Sequence, residues 1–257
     1  MKITNVKTFI IHPGVGKNLI FVKLETDEGL HGWGEAYTQS DRDTAIEAHI
    51  KQLSRYLIGR SPFNIKHFTY VAYEDFATKR TGMDYWCAIS GIEHAMWDLV
   101  GKALGQPVYN LLGGACRNKI RVYGNGWSAG ARTPDEYKAK AREAVKKGWT
   151  ALKFDPFPGP WKLYIDKKDE QLAIDRVAAV REGAGPDTDI LVEVHRRLAP
   201  MHAIRVGKAI EQYKPFWYEE PCPPENIDAI AEVRRHVDIP IVVGEALYSK
   251  HDFREVF

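Results

Sequence analysis

The sequence predicts an α/β protein in two parts. Residues 1–117 form an α+β unit, and residues 118–257 begin a TIM-type (β/α) barrel that stops after its fifth strand. Three changes of period predict it. The first forty residues alternate polar and apolar side chains with the period of two that strands show. From Asp43 to about Gly113 the period is helical. Beyond Arg117, short apolar runs alternate with amphipathic helical stretches, and each parallel strand needs such a crossover helix to bring the next strand alongside.

In the first part, Ile3 to Ile11, Leu19 to Glu25 and His31 to Ala36 read as strands, the last two joined by the turn Thr26-Asp27-Glu28-Gly29. They make an antiparallel meander. The clearest helix carries Ile89, Ile92, Met96, Leu99 and Ala103 at steps of three and four, and Gly105 and Pro107 stop it. In the second part Ile120 to Gly124 is a strand. Thr133-Pro134-Asp135-Glu136 is a capping box with proline at the first helical position, and Lys146-Lys147-Gly148 closes that helix. Then come the strand Ala151 to Phe154, a helix with Ala173, Val177 and Val180 on one face, and the strand Ile190 to Val194. A helix with Ala203, Val206 and Ile210 follows, then the strand Pro215 to Tyr218, a helix with Ile230, Val233 and Val237, and the strand Pro240 to Val243. No glycine-rich phosphate loop follows the first strand, and polar residues gather at successive strand C-termini, so a barrel fits better than an open sheet.

Composition excludes several classes of function. Among 257 residues, 44% are hydrophobic and 27% charged, and the formal net charge is +2, with no basic run suited to a phosphate backbone. Nucleic acid is therefore not an expected partner. No apolar stretch approaches the roughly 20 residues of a membrane helix, and Met1 to Ile11 lacks the build of a leader peptide. A soluble cytoplasmic protein without a membrane partner is expected. Cys87, Cys116 and Cys222 have no metal-type spacing and read as free thiols.

The informative feature is a set of three acids. Leu191-Val192-Glu193, Trp217-Tyr218-Glu219 and Val243-Gly244-Glu245 each end a strand, at intervals of 219 − 193 = 26 and 245 − 219 = 26 residues. One strand-helix unit per interval places the carboxylates at the same height on neighbouring strands, at the end where barrels keep their active sites. Like charges that close need a cation. Hard oxygen donors without thiolate or paired histidine favour magnesium over zinc. The alternative is that these are scattered surface glutamates at loop starts.

At this point the chain resembles a known family. Ser90-Gly91-Ile92-Glu93-His94-Ala95-Met96-Trp97-Asp98-Leu99 with Gly101-Lys102, then Gly105-Gln106-Pro107-Val108-Tyr109 and Leu111-Leu112-Gly113-Gly114, resembles the segment joining cap and barrel in mandelate racemase and muconate lactonising enzymes of the enolase superfamily. Glu219-Glu220-Pro221 and Gly244-Glu245 resemble that family's second and third metal motifs. The resemblance spans essentially the whole chain. It implies a capping domain, a modified barrel, and magnesium bound by Glu193, Glu219 and Glu245. It also implies abstraction of the proton α to a substrate carboxylate, with the metal stabilising the resulting enediolate.

Two departures narrow what the resemblance implies. Racemases of the family carry Lys-x-Lys on the second barrel strand; here the segment is Lys153-Phe154-Asp155. Racemisation through that second lysine is disfavoured. Lys153 forms either a salt bridge with Asp155 or a glutamate, or a contact near the substrate carboxylate; it is expected to be catalytic as well as substrate-binding, and Asp155 is placed with it as substrate-binding. The first metal motif is Glu193-Val194-His195, and a histidine two residues after that ligand resembles the sugar-acid dehydratases of the galactonate and gluconate type, where it protonates the departing β-hydroxyl. Strand alternation would put His195 on the same face as Glu193; the other reading is a hydrogen-bonded structural histidine. A hydro-lyase acting on an aldonate or aldarate, as a homo-oligomer, is the expected protein. An epimerase, racemase or cycloisomerase of the superfamily and a non-catalytic module are the alternatives, the last opposed by retention of the three acids, Lys153 and His195. A complete barrel takes about 250 residues, against 257 − 117 = 140 here. The resemblance puts a histidine-aspartate base on the later strands, so these residues are expected to hold the metal site without the base.

Overall fold

The computed structural model describes residues 1–39, 41–74, 82–159 and 163–257. The chain divides into two compact units, Met1–Asn118 and Lys119–Phe257. The part of the predicted helical stretch at 75–81 lies outside the described residues.

In the first unit β1 (Ile3–Ile11), β2 (Leu19–Thr26) and β3 (His31–Ala36) form the antiparallel meander in sequence order. β2 alternates as its pattern requires, with Ile20, Val22 and Leu24 fully buried. Helices α1 (Asp43–Leu53), α2 (Ile65–Thr69), α3 (Met83–Leu104) and α4 (Val108–Leu111) follow. The stripe on α3 buries Ile89, Ile92, Met96 and Leu99. It ends there: Ala103, in the last turn, is exposed. β3 lies so close to α3 that a Cβ on Gly34 would stand 2.0 Å from the Gly91 carbonyl oxygen, and one on Gly32 2.1 Å from that of Ala95. Only glycine permits this approach. The left-handed Gly105 (φ 63°) closes the helix, and the Gln106 N–H donates to the Gly101 carbonyl at 2.9 Å.

The second unit alternates α5 (Pro134–Lys146), β4 (Ala151–Phe154), α6 (Lys167–Ala184), β5 (Asp189–Glu193), α7 (Pro200–Ile210), β6 (Trp217–Glu219), α8 (Ile227–His236), β7 (Ile241–Val242) and α9 (Lys250–Arg254). The four strands form a parallel sheet in the order β4-β5-β6-β7. The capping box is present: the Glu136 N–H donates to Thr133 Oγ1 at 3.3 Å, and the Thr133 N–H donates to Glu136 Oε2 at 2.9 Å. Leu152, Phe154, Ile190, Val192 and Tyr218 pack into one core with Ala173, Val177, Val180, Ala203, Val206 and Val233 of the helices. Alternate residues face the other way, among them Lys153, Leu191, Glu193 and Glu219.

The predicted strand Ile120 to Gly124 is reduced to one bridge, Gly124 against Leu152. The Gly124 N–H donates to the Ala151 carbonyl at 2.8 Å, but Ile120 is 77% and Val122 62% exposed. Apolar alternation marks where a strand can form, but without a ladder or a packed face it does not order one. No helix among the described residues is long and apolar enough to cross a membrane.

Candidate metal centre

Strand register builds this site. Glu193 ends β5, Glu219 ends β6, and the two are direct partners in the parallel ladder. Neighbouring strands run about 4.8 Å apart, so both carboxylates leave the sheet side by side. Glu245 stands three residues beyond Val242, the end of β7, after a left-handed Gly244 (φ 139°). One carboxylate oxygen from each of Glu193, Glu219 and Glu245 lies within 4.8 Å of the other two. Glu193 is buried and Glu219 nearly so, whereas Glu245 is exposed.

Two largely buried carboxylates at this distance cannot both ionise cheaply. Burial pushes Glu219 above the usual glutamate range, Lys153 pulls it down, and neighbouring Glu193 pushes it up again. Burial acts on Glu193 in the same sense, but the Lys153 ammonium, Glu219 and the His195 N–H outweigh it and hold that carboxyl low. Lys153, on β4, places Nζ 2.7 Å from Glu193 Oε2 and 2.5 Å from Glu219 Oε1. Burial lowers its pKa, but the two glutamates more than offset this and hold it above the ordinary lysine value. Of the two sequence readings of Lys153, the structure displays the ion pair, with the glutamates rather than Asp155.

The donor set fits a hard divalent cation. It offers three carboxylates, converging from the ends of three successive strands, and neither thiolate nor imidazole among the converging atoms. An ion held at about 2.1 Å wants its oxygens within about 4.2 Å of one another. The observed spread is close to that, so small side-chain rotations suffice to enclose one.

His195 reaches the site by a route that strand alternation does not describe. The strand stops at Glu193, and His195 (φ 55°) and Arg196 (φ 61°) are left-handed, so the chain turns here. The His195 N–H donates to Glu193 Oε1 at 2.8 Å, while its ring Nδ1 lies 2.8 Å from Asp155 Oδ2. Asp155 is engaged on both oxygens: the Phe157 N–H donates to Oδ1 at 2.9 Å, and the buried Arg197 guanidinium pairs with Oδ2. Arg196 pairs with Glu245.

Two further residues support the acids. Trp217 Nε1 donates to Glu219 Oε2 at 2.8 Å. Glu220, 1% exposed, accepts the N–H groups of Gly244 at 2.7 Å and Glu245 at 3.1 Å on Oε1. Its trace in the sequence was a second acid directly after Glu219, at which β6 ends.

Residues 136–257 match the family model described as enolase C-terminal domain-like, and residues 10–113 match that of the mandelate racemase / muconate lactonizing enzyme N-terminal domain. A D-gluconate/D-galactonate dehydratase of Picrophilus torridus is 36% identical over 91% of this chain and 60% of its own length. A D-galactonate dehydratase of Pectobacterium atrosepticum is 36% identical over 100% of this chain and 64% of its own. The chain thus spans less than two thirds of these curated relatives. A crystal structure of a mandelate racemase/muconate lactonizing enzyme from Sulfitobacter sp. superposes with a TM-score of 0.89 at 33% identity, covering 100% of this chain and 68% of that one.

Proposed function

The chain belongs to the mandelate racemase/muconate lactonizing enzyme family of the enolase superfamily, and from that premise we propose that the whole protein is a magnesium-dependent dehydratase of a sugar acid, an aldonate or aldarate. The observation that carries the proposal is the convergence of Glu193, Glu219 and Glu245 beside a histidine whose Nδ1 is tied to Asp155. The names of the two curated relatives support the same substrate class.

Glu193, Glu219 and Glu245 would hold the ion, which when bound supplies Lewis acidity to the substrate carboxylate and lowers the acidity barrier at the α-carbon. The chain's own residues account for the leaving group. With Nδ1–H donating to the Asp155 carboxylate, His195 turns Nε2 toward a substrate, and as the imidazolium it carries its transferable proton there. The histidine-aspartate base that the family resemblance puts on later strands takes the α proton, the C–H electron pair forms the new carbon-carbon double bond, and the β C–O bond breaks. His195 gives its proton to the departing hydroxyl, which leaves as water, and the enol product tautomerises to a 2-keto-3-deoxy acid. Lys153, held protonated between Glu193 and Glu219, is poorly suited to act as a base. Asp155, committed to His195 and Arg197, does not replace the second lysine of a racemase.

The test is a panel of aldonic and aldaric acids with the whole protein and magnesium, read by product mass and keto-acid detection. A product lighter by one water supports dehydration. An isomer of unchanged mass would make the protein an epimerase or cycloisomerase instead.

A further inference from the structure

We infer that Glu220 is the positioning residue of the third carboxylate: its buried side chain sets where Glu245 leaves the sheet. The inference rests on the proposed metal site only for its consequence on metal binding; the geometry stands on its own.

β7 is two residues long, and its ladder with β6 pairs Tyr218 with Ile241 and Glu219 with Val242. The Glu220 N–H makes the next bond, to the Val242 carbonyl at 2.8 Å. Beyond that point no further ladder pairing of Gly244 and Glu245 exists among the described residues. Their N–H groups go instead to one oxygen of Glu220, at 2.7 and 3.1 Å. A side chain thus continues the pairing where the backbone ladder stops. The Glu220 carbonyl in turn accepts the Arg196 N–H at 2.7 Å, and the Arg196 guanidinium pairs with Glu245. The segments that follow β5, β6 and β7 are therefore tied together through this one residue.

The cost of the arrangement argues that it serves a purpose. Glu220 adopts a left-handed backbone (φ 47°), which a side chain other than glycine adopts only where the surroundings hold it. It also places a carboxyl group in a buried position whose Oε2 has no hydrogen-bond partner among the described residues, which a core would not keep for packing alone. Its oxygens are not part of the converging triad, so Glu220 acts through Glu245. Gly244 complements it: φ 139° turns the chain so that two successive N–H groups point to one acceptor.

Three variants test this. Glu220→Gln keeps the acceptor oxygen without the charge; Glu220→Leu keeps the volume without the acceptor; Glu220→Ala removes both, and stands in should the leucine variant not fold. Amide hydrogen exchange at Gly244 and Glu245 is followed by NMR, and Mn²⁺ binding by electron paramagnetic resonance titration. Wild type and Glu220→Gln should protect both amides and bind Mn²⁺ within about threefold of each other. Glu220→Leu and Glu220→Ala should lose that protection and bind about 10- to 100-fold more weakly. Unchanged protection in the leucine and alanine variants overturns the inference, as does its loss in Glu220→Gln. Wild type that binds no Mn²⁺ refutes the metal site, and the exchange pattern still decides the role of Glu220.

Discussion

Asp155 shows what a residue's partners add to its position in a motif. The sequence places it beside Lys153, where it reads as a substrate contact, and in the structure it holds the ring of His195. His195→Asn in the whole protein should therefore lower turnover by about 10²- to 10⁴-fold, with magnesium affinity nearly unchanged; steady-state kinetics and calorimetric titration check this, and full activity would remove His195 from the chemistry. The cysteines offer an independent check of burial. Burial pushes the Cys222 thiol up to about 12 and raises that of Cys87, while Cys116 is exposed. The thiolate is the reactive form, so at pH 8 a maleimide should label Cys116 quickly and Cys222 only on unfolding, as mass spectrometry of the digests would reveal. Equal 26-residue intervals made Glu193, Glu219 and Glu245 legible as a set. Glu220 was not legible as a support because two adjacent glutamates look alike in a sequence; its direction is set by the left-handed turn (φ 47°) just beyond the end of β6.

At the scale of elements, local signals were read well where the physics is local. Thr133 and Glu136 form their reciprocal cap, so Thr133→Ala should cost about 1 kcal/mol in urea denaturation. The β3 glycines were not singled out, because a close approach is a property of two elements. A methyl group on Gly34 would overlap the α3 backbone, so Gly34→Ala should destabilise the first unit by about 1 to 3 kcal/mol, the usual penalty of overpacking. A midpoint equal to wild type would mean that the helix can shift away at no cost. The segment 120–124 failed in the opposite way: its apolar alternation was visible, but strand order depends on partners that alternation does not supply.

For the molecule as a whole, two periodicities separated an α+β unit from a βα array, and both are present as read. What they do not carry is register, and register is what brings Glu193 beside Glu219. Among the described residues around the triad, Lys153 is held as an ammonium and Asp155 is occupied. Residues 1–257 assayed alone, beside a full-length protein and with a substrate the latter accepts, should therefore bind magnesium without measurable turnover. Comparable rates would place the base on Lys153, Asp155 or His195. All of this depends on the three glutamates sharing one ion, and the most direct measurement is the anomalous scattering of crystals grown with Mn²⁺. A single peak is expected at the C-terminal ends of β5, β6 and β7, about 2.0 to 2.2 Å from a carboxylate oxygen of Glu193, Glu219 and Glu245, close to the distance magnesium itself would take. A peak elsewhere, or one from which any of the three side chains turns away, would contradict it.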